Sequence, residues 1–237
     1  MVSVRRLRMK EMIAIDFTDM PLGIAKIHSL NVGSVGIEIS KMHRGDSETI
    51  KKEVFKHSKI GVINLDALIT EVNFEVENHY LKQLGVGLEI GLELKCANFL
   101  VALDLIAVKG EMAKIPSKPQ ESEILKNSFE ILAHLKRVFE GRKKNLYITP
   151  LSLLSHMSLF ERVAQLANVL EFINSPLIHI GLELGGVPEQ EIERILVTYG
   201  EKIRYIKLPR KEYEQKNALI SRFFQNDNSV ILSVDTN

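Results

Sequence analysis

The chain has 237 residues, 45% of them hydrophobic, which is enough for a sizeable core and within the length at which a barrel or doubly wound sheet forms one domain. Its 31 Lys and Arg against 30 Asp and Glu leave a formal net charge of +1, so no global field favours nucleic acid or an anionic membrane surface as a partner. The single cysteine, Cys96, has no disulfide partner within the chain and no Cys/His ligand spacing around it. It reads as a small buried apolar residue in a reducing, cytoplasmic setting.

The N-terminal MVSVRRLRMKEMIAIDF sets basic residues ahead of a short apolar run, the outline of a signal peptide. The run from Met12 to Phe17 is broken by Asp16, and no small-residue cleavage site follows it, so it is taken as the first strand of a soluble protein. No uninterrupted run reaches the roughly 18 apolar residues that a membrane helix needs. Strands are predicted at Met12–Phe17, Ser34–Ile39, Ile60–Leu65, Phe99–Leu105, Asn145–Thr149, Leu177–Leu182, Ile203–Leu208 and Val230–Asp235. Each is a short β-branched run, and seven longer amphipathic segments lie between them, the pattern of repeated βα units.

Three of those segments carry local detail. The third, roughly Phe74 to Lys95, mixes helical spacing with the period-two alternation of LGVGLEIGLELK and holds three glycines, which predicts a helix or a helix with an irregular turn. In the next, Ser117 and Pro119 precede a helix with apolar Ile124, Phe129, Ile131, Leu132, Leu135 and Val138, and Gly141 is the expected stop. The segment after the sixth strand has Pro188 near an acidic first turn and Gly200 as its stop.

Eight strands with intervening helices predict an α/β fold, a (β/α)8 TIM barrel formed by one domain over residues 1–237, since closure leaves no sheet edge unpaired. A doubly wound sheet is the alternative, but DFTDMPLG after the first strand lacks a glycine-rich phosphate loop. The chain stops soon after strand eight, so the final C-terminal helix is expected to be missing. The seam it leaves needs a cover, either the N-terminal segment or a second subunit, and a homodimer is the expectation.

In such a barrel function gathers at the C-terminal ends of the strands, where residues two apart share a side. One polar residue near each strand end gives Asp16, Glu38, Asn64 or Asp66, Asp104, Thr149, Glu183, Lys207 and Asp235. A buried carboxylate without a partner costs several kcal/mol, so such groups converge on a cation, a metal or a ligand. Asp also serves as a turn residue and helix cap, which for Asp16 and Asp66 is an equal alternative. Glu38, Glu183 and Asp235 are flanked by apolar residues on both sides and read as functional. Lys207 supplies a positive charge, with Tyr205 its inward neighbour. His179 shares the parity of Glu183 but lies deeper, as a core histidine. No HxH, HExxH or paired cysteine points to a dedicated zinc site.

In this order of elements the chain resembles the xylose isomerase-like superfamily of barrels, which includes sugar and sugar-phosphate isomerases and epimerases and endonuclease IV. GIAKIHSLNVGSVGIEIS looks like that family's first helix and second strand ending in Glu38, and NLYITP, LIHIGLELGG, KIRYIKLP and VILSVD look like its strands five to eight. The resemblance implies a bound divalent metal, Mn, Mg or Zn, held by Glu, Asp, His and Glu on those four strands. By position these become Thr149, Glu183, Lys207 and Asp235, so two of four carry a carboxylate. The family's strand-six histidine corresponds to Gly186 and its strand-seven Asp to Pro209. An ammonium at Lys207 repels a divalent cation, which suggests that Lys207 takes the charge role of the metal and pairs with Glu183 and Asp235. Two nearby carboxylates favour the charged lysine, a salt bridge or anion holder over a nucleophile.

Two functions follow. The first is an isomerase or epimerase acting on a sugar or sugar phosphate by proton transfer next to a carbonyl. There Glu38 and Glu183 or Asp235 are the bases, Lys207 polarises the oxygen, and Asp16, Asn64, Asp104, Thr149 and Tyr205 contact the ligand. The alternative is a metal-free barrel without catalysis, serving as a small-molecule binding or scaffold protein. An endonuclease role needs many metal-binding histidines and a basic groove, which this sequence lacks.

Overall fold

The computed structural model describes residues 10–16, 19–30, 34–38, 46–56, 59–69, 85–104, 132–151, 157–224 and 229–235, with backbone alone at Asp16, Leu30, Glu38, Asp46, 66–69, Asp104 and Leu151. Eight strands lie among the described residues: β1 (Lys10–Asp16), β2 (Ser34–Glu38), β3 (Lys59–Ile69), β4 (Asn98–Asp104), β5 (Asn145–Leu151), β6 (Ile178–Glu183), β7 (Ile203–Pro209) and β8 (Ile231–Asp235). All pair in parallel in chain order, and β8 closes on β1. Their ends lie within two residues of those expected, except that β3 continues to Ile69. It does so across an irregular register between Asn64 and Leu68.

Seven helices lie among the described residues: α1 (Met20–Leu30), α2 (Asp46–Val54), α3 (85–93), α4 (132–142), α5 (Leu159–Ile173), α6 (Glu189–Tyr199) and α7 (Arg210–Phe224). Two glycine stops act differently from expectation. Gly141 lies inside α4, and the helix ends instead at Lys143, which adopts the left-handed conformation at φ 53°. There the Lys143 N–H donates to the Glu140 carbonyl and the Lys144 N–H to that of Phe139, satisfying carbonyls that a helix end otherwise orphans. Gly200 caps α6 but stays right-handed at φ −52°, and the chain tightens into a 3-10 turn over Gly200–Lys202. Ser117 and Pro119 lie outside the described residues. The clearest start is that of α5, where Ser158 and Glu161 cap each other's backbone N–H groups.

Alternation along the strands divides the core in two. Outward residues such as Ile15, Ile37, Ile63, Phe99, Ile148, Ile180, Ile206 and Leu232 are buried under the helices. Each contributes about 1.5–3 kcal/mol by leaving water. Inward, Met12, Val62, Leu100, Tyr147, Tyr205 and Ile231 form a separate cluster inside the barrel. The Tyr147 and Tyr205 rings stack there, 5.8 Å apart and 15° from parallel.

The N-terminal end below that cluster is closed by a satisfied polar network. Tyr147 donates its hydroxyl to Asn98 Oδ1 at 3.1 Å, Asn145 Nδ2 donates to the same oxygen at 2.8 Å, and Asn98 Nδ2 donates to the Gly61 carbonyl at 2.7 Å. Burial pushes the Tyr147 phenol up to about 12 and the Cys96 thiol up to about 11, so both stay protonated and unreactive at neutral pH. With the bottom closed, the C-terminal ends of the strands form the mouth. Among the described residues no helix is long and apolar enough to cross a membrane.

Candidate active site at the barrel mouth

The ladder registers assemble the mouth. Asp16 pairs with Glu38, and Glu38 with Asn64, on β1, β2 and β3. Thr149 on β5 lies opposite Ala102 on β4. Glu183 lies opposite Lys207, Lys207 opposite Ser233, and Pro209 opposite Asp235 on β6, β7 and β8. Asp235 returns to Ala14 on β1. Every polar residue picked out at a strand end therefore has its backbone at the same end of the barrel and on the inward parity. The side chains of Asp16, Glu38 and Asp104, and of the alternative Asp66, lie outside the described residues.

Because successive strands are offset, inward side chains form layers drawn from alternate strands. Met12, Val62, Tyr147 and Tyr205 make the floor. Above them come Gly36, Leu100, Gly181 and Ser233, then Ala14, Asn64, Thr149 and Lys207, and at the rim Ala102, Glu183 and Asp235, level with the backbone of Glu38. Tyr205, expected to contact a ligand, is buried in the floor against Tyr147. Asn64 is half-buried and Thr149 buried at the level of Lys207.

The charged centre is Lys207. Its Nζ lies 3.5 Å from Asp235 Oδ2, with 15% of the lysine side chain and 27% of the aspartate exposed. Glu183 faces Lys207 across the ladder and is exposed at the rim. His179 sits two residues below Gly181 with its ring 6.2 Å from that of Tyr147. Burial, reinforced by the positive charge of Arg204, pushes its pKa down to about 4, so it is a neutral core imidazole at physiological pH.

A second ionic group pins the loop leaving β6. Lys216 on α7 is buried and donates to the Leu184 carbonyl at 2.8 Å and to Glu212 Oε2 at 2.5 Å. Both Glu212 oxygens accept the Gly186 N–H at 3.1 Å, and the Lys216 hydrogen bond chiefly holds the Glu212 carboxyl below its ordinary range. Gly186 is left-handed at φ 71°, a conformation that suits glycine. The position that carries the family's histidine is thus a structural turn here. Sequence reasoning missed this clamp, although the i,i+4 order of Glu212 and Lys216 was visible. It also missed Ser233, which shares the inward parity of Asp235 in VILSVD.

The four positions implied for a divalent metal do not fit one. Thr149 offers a neutral oxygen, and Asp235 already faces an ammonium 3.5 Å away. Two unit charges 4 Å apart repel by about 4 kcal/mol at the effective dielectric of a partly buried site, and a divalent ion doubles that. Among the described residues no three His, Cys, Asp or Glu side chains converge on one point.

The whole barrel superposes on solved structures. It is similar to 3-keto-D-glucoside 4-epimerase from E. coli in its apo form, at 14% identity over 96% of this chain and 91% of that one, with a TM-score of 0.73. It is also similar to D-psicose 3-epimerase in the presence of D-fructose, at 11% identity over 96% and 84% of the two chains, with a TM-score of 0.68. A fusion of a xylose isomerase-like TIM barrel with 4-hydroxyphenylpyruvate dioxygenase matches at 12% identity, over 96% of this chain and 38% of that one, with a TM-score of 0.66. No protein-family model and no curated sequence matches the chain. At these identities the likeness carries the architecture and leaves the chemistry to the residues. With its closed eight-stranded parallel barrel, the chain has the fold of the xylose isomerase-like TIM barrels, the fold also of the sugar phosphate isomerase/epimerases.

Proposed function

We propose that the mouth binds a keto sugar, free or singly phosphorylated, and moves a proton on the carbon beside its carbonyl, as an epimerase or isomerase does. The observation that carries this reading is the part-buried Lys207–Asp235 pair beside exposed Glu183, on three adjacent strands of the mouth. Removing such a proton puts negative charge on the carbonyl oxygen, and a fixed ammonium nearby stabilises that charge without reorganising. Lys207 is assigned that role.

The proton needs a base to take it and a site to return it. Glu183 on β6 and Glu38 on β2 stand on opposite sides of an eight-stranded barrel, and Asp235 flanks Lys207 on β8. Bases from two sides suit epimerisation, in which the proton leaves one face and returns to the other. The similarity to epimerases of a 3-keto-D-glucoside and of D-psicose supports this choice of substrate class.

Incubation with D-psicose or D-fructose in D2O with a chelator tests the reading by proton NMR. The expected result is deuterium at the carbon beside the carbonyl, lost in Glu183→Gln. No incorporation from either sugar overturns it. A barrel that binds sugar without turnover is the second reading, favoured by the fact that Asp235 already meets the charge of Lys207. It gives a sugar-dependent rise in Tm with no deuterium incorporated.

A further inference from the structure

Thr149 Oγ1 and Ser233 Oγ are buried inside the barrel and have no hydrogen-bond partner among the described residues. Thr149 is 3% exposed and Ser233 0%. Buried hydroxyls are nearly always paired, because leaving one unpaired forfeits its hydration for nothing, so an orphan at an inward position points to a group that arrives later. Both flank Lys207. Ser233 is its ladder partner, two residues below Asp235, and Thr149 shares its layer two strands away.

Each hydroxyl also faces a glycine. A methyl group placed on Gly36 meets only ordinary contacts, Met12 Sδ at 3.5 Å, the Ala14 Cα at 3.8 Å and Ser233 Oγ at 3.8 Å, so one added carbon packs the wall beside Ser233 to contact distance. A methyl group on Gly181 comes within 3.3 Å of Thr149 Oγ1 and 3.0 Å of Leu100 Cδ1, a tighter fit. Among the other inward neighbours Ala14 and Ala102 are small and apolar, while Leu100 shares the layer of Ser233 and Asn64 that of Thr149. Below the charged rim a buried hydroxyl thus lies on either side of Lys207, among glycines whose walls leave little space.

We infer that Ser233 and Thr149 bind the inner end of the sugar and that this end is a neutral hydroxyl, the close packing at Gly36 and Gly181 excluding a phosphate with its three oxygens. The inference rests on the keto-sugar reading and narrows it. A phosphate, where the substrate has one, lies at the outer end.

Calorimetric titration with D-psicose, D-fructose and D-fructose 1,6-bisphosphate tests this whichever way round the sugar enters, because the bisphosphate has no free hydroxymethyl end. The wild-type chain is expected to bind at least one ketohexose and to bind the bisphosphate at least a hundredfold more weakly. Ser233→Ala and Thr149→Val are each expected to bind the ketohexose about tenfold more weakly, the usual loss for one buried hydrogen bond. Gly36→Ala, which adds a carbon 3.8 Å from Ser233 Oγ, is expected to bind it more weakly still. Removing an orphaned hydroxyl should leave Tm without sugar unchanged or raised, so lost affinity cannot be put down to misfolding. Unchanged affinity in Ser233→Ala, or bisphosphate binding as tight as that of the ketohexose, overturns the inference alone. A wild-type chain that binds neither ketohexose overturns the sugar reading and this inference with it.

Discussion

Replacing Lys207 by Met removes the ammonium and keeps most of the stem. At 3.5 Å the attraction to Asp235 is about 5 kcal/mol at an effective dielectric near 20. With 15% and 27% of the two side chains exposed, solvent screens much of that, and desolvation of both ions offsets more. A net coupling of about 1–2 kcal/mol remains. In a chain of this size each kcal/mol moves Tm by about 2–4 °C, so Lys207→Met should melt about 2–8 °C below wild type. Asp235→Asn should lose a similar amount, for it removes the carboxylate 3.5 Å from the lysine charge. The double variant should lose less than the sum of the two by about 1 kcal/mol or more, measured from urea unfolding of all four proteins. Losses that add to within about 0.3 kcal/mol would refute the pairing and the fixed-charge role built on it.

Two further outcomes test the surrounding scaffold. A His179 held neutral by the fold takes up a proton on unfolding at any pH between about 4 and its ordinary 6.5, so its share of stability is complete above about pH 6.5 and is lost as pH falls toward 4. For a half-buried ring that share is roughly 2–3 kcal/mol, read from urea midpoints across this range; a His179→Gln chain with the same pH slope as wild type contradicts it. Gly91→Ala reverses a familiar sign. Alanine normally stabilises a helix by about 1 kcal/mol over glycine, but a methyl on Gly91 in α3 comes within 2.3 Å of the Phe99 ring. The expected change is a destabilisation of about 1–3 kcal/mol, and a raised Tm argues against the α3–β4 packing.

The strands were readable because each is a short β-branched run whose outward half is buried under helices, which makes it nearly continuously apolar. Parity then sufficed to place Glu183, Lys207 and Asp235 on one side of their strands, and β6, β7 and β8 bring them together. Register irregularities at Val35/Gly36, Asn64/Leu68 and Ile180/Gly181 were not readable, because the residues they add, Gly61, the 65–67 stretch and Arg204, share no residue type that marks a bulge. Helix ends were read less well. Gly141 looked like a stop by residue type, but the left-handed turn fell on Lys143, where two backbone hydrogen bonds fix it. Ser233 went unnoticed because a serine in a strand is unremarkable until its hydroxyl proves to be buried without a partner among the described residues.

The central claim is that this barrel mouth carries its positive charge on Lys207 where the resemblance puts a metal. Crystals soaked in Mn²⁺ and measured for anomalous scattering test it most directly. The expected map has no peak between Glu183 and Asp235, with Lys207 Nζ still about 3.5 Å from Asp235. A peak within coordination distance of both carboxylates, with Lys207 turned away, contradicts the claim.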